Sequence, residues 1–163
     1  MYCGWQGSIE ELTKVSGEEI MRSLVSYYRE SSGENPAATQ TAAWDESVEI
    51  LRKQFSALVK DMPQAKRWSL AFEYELPREG GRRPDAVVLA GNQIAVLEFK
   101  QKQSVDQADI DQVAAYARDL QNYHEGSRGY GVIPVLVPTR RKGEVERRGD
   151  VTVVPAAHLA DFF

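Results

Sequence analysis

Residues 82–100 read Arg82-Arg83-Pro84-Asp85-Ala86-Val87-Val88-Leu89-Ala90-Gly91-Asn92-Gln93-Ile94-Ala95-Val96-Leu97-Glu98-Phe99-Lys100. Two short apolar runs flank Gly91-Asn92, the composition of a tight hairpin turn. The stretch predicts two strands, with Asp85 near the start of the first and Glu98 and Lys100 at the end of the second. Side chains alternate along a strand, so Glu98 and Lys100 share one face while Leu97 and Phe99 take the other. Two carboxylates and an ammonium at the ends of neighbouring strands are out of place in an apolar core. They are well placed around a divalent metal.

The rest of the chain bounds the setting. Its 163 residues suit one domain with a real core. An apolar fraction of 42% with 27% charged residues excludes whole-chain disorder. A net charge of −4 argues against a strongly basic coat protein and leaves room for a local basic groove. The single cysteine, Cys3, rules out an internal disulfide and fits a reducing compartment. No apolar run approaches the ~20 residues of a membrane span, and the N-terminus lacks the apolar core of a signal peptide. The expected setting is the cytoplasm, with no membrane partner.

Residues 1–36 read as a helical extension. Ser8 with Glu11, and Ser16 with Glu19, match the capping-box pattern. Ile20, Leu24, Tyr27 and Tyr28 follow at helical spacing, and residues 31–36, Ser-Ser-Gly-Glu-Asn-Pro, break the helix. Residues 37–163 form the main domain. A helix over about 41–60 carries Trp44, Val48, Leu51, Phe55 and Leu58 as one stripe. A strand is expected over 68–76, with Ser69, Ala71, Glu73 and Glu75 on one face. A turn over 77–81 leads to the two strands already described. A helix over about 105–123 follows. Residues 130–137 then form a strand buried on both faces, in which Pro134 argues for an edge or a bulge. The charged segment 140–150 reads as a solvated loop before a short strand at 151–154 and a short final helix. The fold class is α/β: a mixed sheet flanked by helices, with the helix after the third strand as a crossover.

Hard cations such as Mg²⁺ prefer carboxylate oxygens and keep several waters. Asp85 and Glu98 can supply two such oxygens and the Phe99 backbone carbonyl a third. A metal so held activates water and polarises a phosphate oxygen, and the Lys100 ammonium suits developing negative charge. The parts describe a phosphodiester hydrolase.

Arg83-Pro84-Asp85, twelve intervening residues, and Glu98-Phe99-Lys100 resemble the signature of the PD-(D/E)XK nuclease superfamily, which includes restriction endonucleases, junction resolvases and RecB-like exonucleases. The resemblance implies a restriction-endonuclease-like αβββαβ core, over about 41–137, and dependence on Mg²⁺ or Mn²⁺. Gln112 and Tyr116 match the QxxxY pattern that RecB-like members carry on the next helix. In that likeness Gln112 orients the metal or its water, and Tyr116 contacts the substrate backbone. Family members often carry a further acidic residue, a position for which Glu73 and Glu46 compete. Arg82 and Arg83 suit phosphate contacts, and ion pairing with Glu75 or Glu79 is their plain alternative.

More loosely, the chain resembles the nuclease-like region ahead of Schlafen-related helicase-like ATPases. That likeness implies an ATPase beyond Phe163 and invading DNA as the substrate. The resemblance favours DNA as partner, with RNA or tRNA as a second option, and is compatible with a homodimer. The competing class is a catalytically silent module that keeps the fold and docks nucleic acid or a protein.

Overall fold

The structure, a computed structural model, describes residues 2–76 and 80–163, with Tyr123 described by its main chain only. Pro77, Arg78 and Glu79 lie outside the described residues, and with them most of the expected turn over 77–81 and the alternative of Arg82 or Arg83 pairing with Glu79.

Among the described residues the chain builds a mixed seven-stranded sheet. Its strands are β1 (Trp5–Ser8), β2 (Ser69–Phe72), β3 (Ala86–Ala90), β4 (Gln93–Lys100), β5 (Gly131–Pro138), β6 (Glu146–Arg148) and β7 (Val151–Val153), in the spatial order β1-β2-β3-β4-β5-β7-β6. The first four are antiparallel neighbours, β4 to β5 and β5 to β7 are parallel, and β6 returns antiparallel to β7. Five α-helices accompany them among the described residues: α1 (Ile9–Lys14), α2 (Gly17–Ser32), α3 (Ala38–Asp61), α4 (Gln107–Tyr123) and α5 (Leu159–Phe162). The fold is α/β, as expected. From α3 to β5 the order is helix, three strands, helix, strand. No helix among the described residues is long and apolar enough to cross a membrane.

Local chemistry explains most of the boundaries. Ser8 and Glu11 form a reciprocal capping box that starts α1, and Ser16 caps α2 through the Glu19 amide. Gly33 ends α2 in the left-handed conformation, φ 74°, where a side chain would be strained. The α3 stripe of Trp44, Val48, Leu51, Phe55 and Leu58 is buried throughout. Gly91, φ 65°, turns β3 into β4 with Asn92, the hairpin expected. α4 opens at Gln107 behind its own capping box, Asp106 with Asp109, two residues later than expected.

The core divides by face. Leu70, Phe72, Val88, Ala95 and Leu97 point to α1, α2 and α3, whereas Val87, Ile94, Val96 and Leu136 point to α4. α4 covers β4, β5 and β7 and crosses from β4 to the parallel β5.

Three details correct the expectations, and a fourth shows how one is met. The N-terminus is not helical throughout: residues 5–8 form β1, an outer strand paired with β2, and apolar patterning over four residues with a glycine is too short to announce it. β2 ends at Phe72 because Glu73 adopts φ 51°, which breaks the alternation. Glu73 therefore turns toward Trp44, away from the face of Ser69 and Ala71. The charged segment is not all loop, since Glu146–Arg148 pairs with β7. Finally, Pro134 lies within β5, yet β7 pairs only with Val135 and Leu136. The Leu136 carbonyl accepts from the Val154 amide. Even-numbered residues of β5 thus aim their main chain at β7, and Pro134 sits one step before that pairing begins. It occupies a locally open edge, where a missing N–H is tolerated.

Candidate active site

Register brings the acidic residues together. Ala86 pairs with Leu97, so one step further Asp85 stands opposite Glu98. The Phe99 amide donates to Asp85 Oδ2 at 2.7 Å. A further step sets Pro84 against Phe99, and proline has no N–H to give the Phe99 carbonyl. That carbonyl points to the same strand edge as its own amide, the Asp85 side.

Glu98 and Lys100 emerge on the α4 face, as alternation required, while Leu97 and Phe99 pack with the α3 side. The Lys100 ammonium donates to Glu98 Oε1 at 3.0 Å and to Gln112 Oε1 at 2.7 Å. The Gln112 amide donates in turn to the Tyr116 hydroxyl at 3.0 Å. Four of the expected site residues, Glu98, Lys100, Gln112 and Tyr116, thus form one hydrogen-bonded chain from β4 to α4, with Asp85 facing it from the residue just before β3. Gln112 and Tyr116 meet because residues four apart share a helix face.

The electrostatics are strained. Glu98 is 5% exposed, and its Oε2 has no hydrogen-bond partner. Burial, then the Asp85 charge, raises the Glu98 pKa well above the ordinary range, against the opposing pull of Lys100. Burial raises Asp85 as well, opposed by the Phe99 amide and Lys100. A buried carboxylate, Glu98, facing a half-buried one, Asp85, with one oxygen unpaired, fits a hard divalent cation, whose charge would relieve both burdens. Asp85 and Glu98 are the residues that can hold one, and the Phe99 carbonyl is the nearest main-chain oxygen by register. Among the described residues no three His, Cys, Asp or Glu side chains converge as a metal cluster. The acidic set is a pair.

The two residues competing for a third acidic position have different surroundings. Glu73 is buried, its backbone N–H bonded to the Asp85 carbonyl and its carboxylate accepting from Trp44 Nε1 at 2.8 Å. Burial, then the charge of Asp85, pushes its pKa up to about 7. Glu46 lies half-buried beyond the ends of β4 and β5, where Gln101, Thr139 and Arg140 all donate to it. The hydrogen bonds from Arg140 and Gln101, with the Arg140 charge, outweigh the desolvation that opposes them and lower its pKa.

Arg82 lies 5.1 Å over the Tyr116 ring and donates to Asp119 at 3.1 Å, so it borders the site. Arg83 turns the other way, over the Tyr27 ring at 4.9 Å and 3.8 Å from Glu75. The pairing expected as the plain alternative for Arg83 is therefore present. Sequence reasoning did not single out Trp44 as the Glu73 partner, or Asp119 as the Arg82 partner. Only the folded arrangement brings together residues 29 and 37 positions apart.

Comparison of the chain with protein-family models, with curated proteins and with solved structures finds no match. The functional reading rests on the residues and their geometry.

Proposed function

We propose that the chain is a divalent-metal-dependent nuclease with a restriction-endonuclease-like core, acting on nucleic-acid phosphodiesters, DNA before RNA. The observation that carries the reading is buried Glu98, with its unpaired oxygen, facing Asp85 across the strands with Lys100 beside it. The helix, three-strand, helix, strand order supports the same reading. Asp85 and Glu98 would hold Mg²⁺ or Mn²⁺. When bound, such an ion activates water and polarises a phosphate oxygen. Lys100, fixed between Glu98 and Gln112, offers N–H groups to an attacking water and positive charge to the phosphoryl oxygens. Gln112 limits the Lys100 rotamers, and Tyr116 holds Gln112. Arg82, at the border over Tyr116, suits a flanking phosphate.

Incubation with labelled single-stranded DNA, duplex DNA and RNA tests this, with Mg²⁺ or Mn²⁺ set against EDTA. Cleavage is expected with metal only, and lost in Asp85→Asn and Lys100→Ala. Cleavage that persists in EDTA or in both variants sinks the proposal. A second reading, a binding module without chemistry, draws on the acidic groups forming a pair and not a cluster of three. It predicts salt-dependent binding with no cleavage under any metal.

A further inference from the structure

Beside the candidate site lies a groove of about 650 Å³ that the chemistry described so far does not use. It exists because α4 lies mainly over β4, β5 and β7, leaving the same face of β1 and β2 and the Leu89 end of β3 open among the described residues. Val87, Leu89 and Ile94 form its apolar wall, and Leu89 is 42% exposed there. Tyr74 and His124 close one side with their rings edge to face at 5.8 Å. Gln6 and Ser69 supply hydrogen-bonding groups.

Two features join this groove to the candidate site. Along β4 the alternation Ile94, Val96, Glu98, Lys100 keeps the groove wall and the acidic residue on one face, and four residues of strand span about 13 Å. Along α4 the four-residue steps Gln112, Tyr116, Leu120, His124 run from the Lys100 partner to the groove lining. The groove's charge pattern selects its occupant. Among the described residues no lysine or arginine lines it, and its carboxylate, Glu11, is taken up by the Ser8 amide and hydroxyl. Such a lining offers a phosphate a few neutral donors and His124 but no lysine or arginine charge among the described residues. It offers apolar area, ring edges and a few polar groups to a flat aromatic ring with a hydrogen-bonding rim.

We infer that this groove receives an unpaired nucleobase adjoining the scissile linkage, so that the substrate is a single strand or a single-stranded segment. The inference rests on the nuclease reading and deepens it. A base inside a duplex is stacked and paired, and enters such a groove only after extrusion.

The test is binding in EDTA, where no cleavage is expected. A short fluorescein-labelled single strand, a set with one abasic position moved along it, and the matching duplex are titrated by anisotropy. One abasic position is expected to weaken binding about tenfold, the scale of one stacked base. The duplex is expected to bind more weakly than the single strand. Leu89→Glu, at an exposed position, is expected to fold normally and to cause a similar loss without depending on abasic position. A flat abasic scan, equal affinity for duplex, unchanged binding by Leu89→Glu, or no oligonucleotide binding overturns the inference. If oligonucleotides do not bind and Leu89→Glu instead abolishes self-association, a second copy is the occupant. Metal-dependent cleavage with a flat scan removes this inference alone. A position-specific abasic penalty without cleavage under any metal removes the nuclease reading alone.

Discussion

The two faces of the sheet solve opposite problems. On the face toward α1, α2 and α3, Leu51, Phe55, Leu70, Phe72 and Leu97 are fully buried in continuous apolar packing. The opposite face begins in the same way, with Val96 and Leu136 packed against Val113 of α4. It then admits Glu98 at the end of β4 and leaves an apolar groove uncovered at β3. Burying a carboxylate without full compensation destabilises a fold. The difference sets a face given over to packing against a face that packs under α4 and also places Glu98 opposite Asp85.

The largest effect that sharpens this contrast belongs to the first face. Phe55→Ala is expected to destabilise the protein by about 3–5 kcal/mol and to lower Tm by roughly 10 °C. Thermal unfolding with and without Mg²⁺ checks it, and added metal should not restore the loss. On the second face, a hundredfold excess of Mg²⁺ or Mn²⁺ over its Kd should stabilise the wild type by about 2.7 kcal/mol. Calorimetry should show no such gain in Asp85→Asn.

Glu98→Gln should act in the reverse sense to a core mutation. With a carboxylate whose pKa is raised by burial, the folded state binds a proton that the unfolded state has released. Removing the charge should raise the metal-free Tm at pH 8 by roughly 2–6 °C, about 1–2 kcal/mol, while abolishing cleavage. The same linkage predicts that metal-free stability falls as pH rises from about 4.5 toward 7, the interval through which Glu73 titrates with its raised pKa. Asp85 and Glu98 add in the same direction. Denaturant titration across that interval measures the slope, and a rise in stability would contradict the desolvation of these three carboxylates, Glu73 toward α3 and Asp85 and Glu98 on the α4 side. The smallest effect is expected at Glu46. Its pairing with Arg140, which is 56% exposed, makes Glu46→Gln cost about 1 kcal/mol or less by chemical denaturation.

Much of the second face was legible in the sequence because period-two alternation is unforgiving. Once residues 86–100 read as a hairpin, Glu98 and Lys100 had to share a face and Asp85 had to stand near them. The helical period likewise paired Gln112 with Tyr116. Local patterns do not extend to a backbone reversal such as Glu73, where a left-handed residue turned a carboxylate expected on the face of Ser69 and Ala71 toward Trp44. Nor do they reveal β1, whose four residues acquire meaning only through pairing with β2, more than sixty positions away. The groove escaped notice for the same reason. It is defined by where α4 stops covering the sheet, a property of packing with no signature in any one segment.

The central claim is that Lys100 and the facing carboxylates perform phosphodiester hydrolysis. Its most direct measurement compares Mg²⁺-dependent cleavage of one labelled strand by the wild type and by Lys100→Ala, after thermal unfolding has shown both to be folded. A loss of about a hundredfold or more in rate, with wild-type activity abolished by EDTA, is the predicted result. Equal rates in the two proteins, or wild-type cleavage undiminished by EDTA, would contradict it.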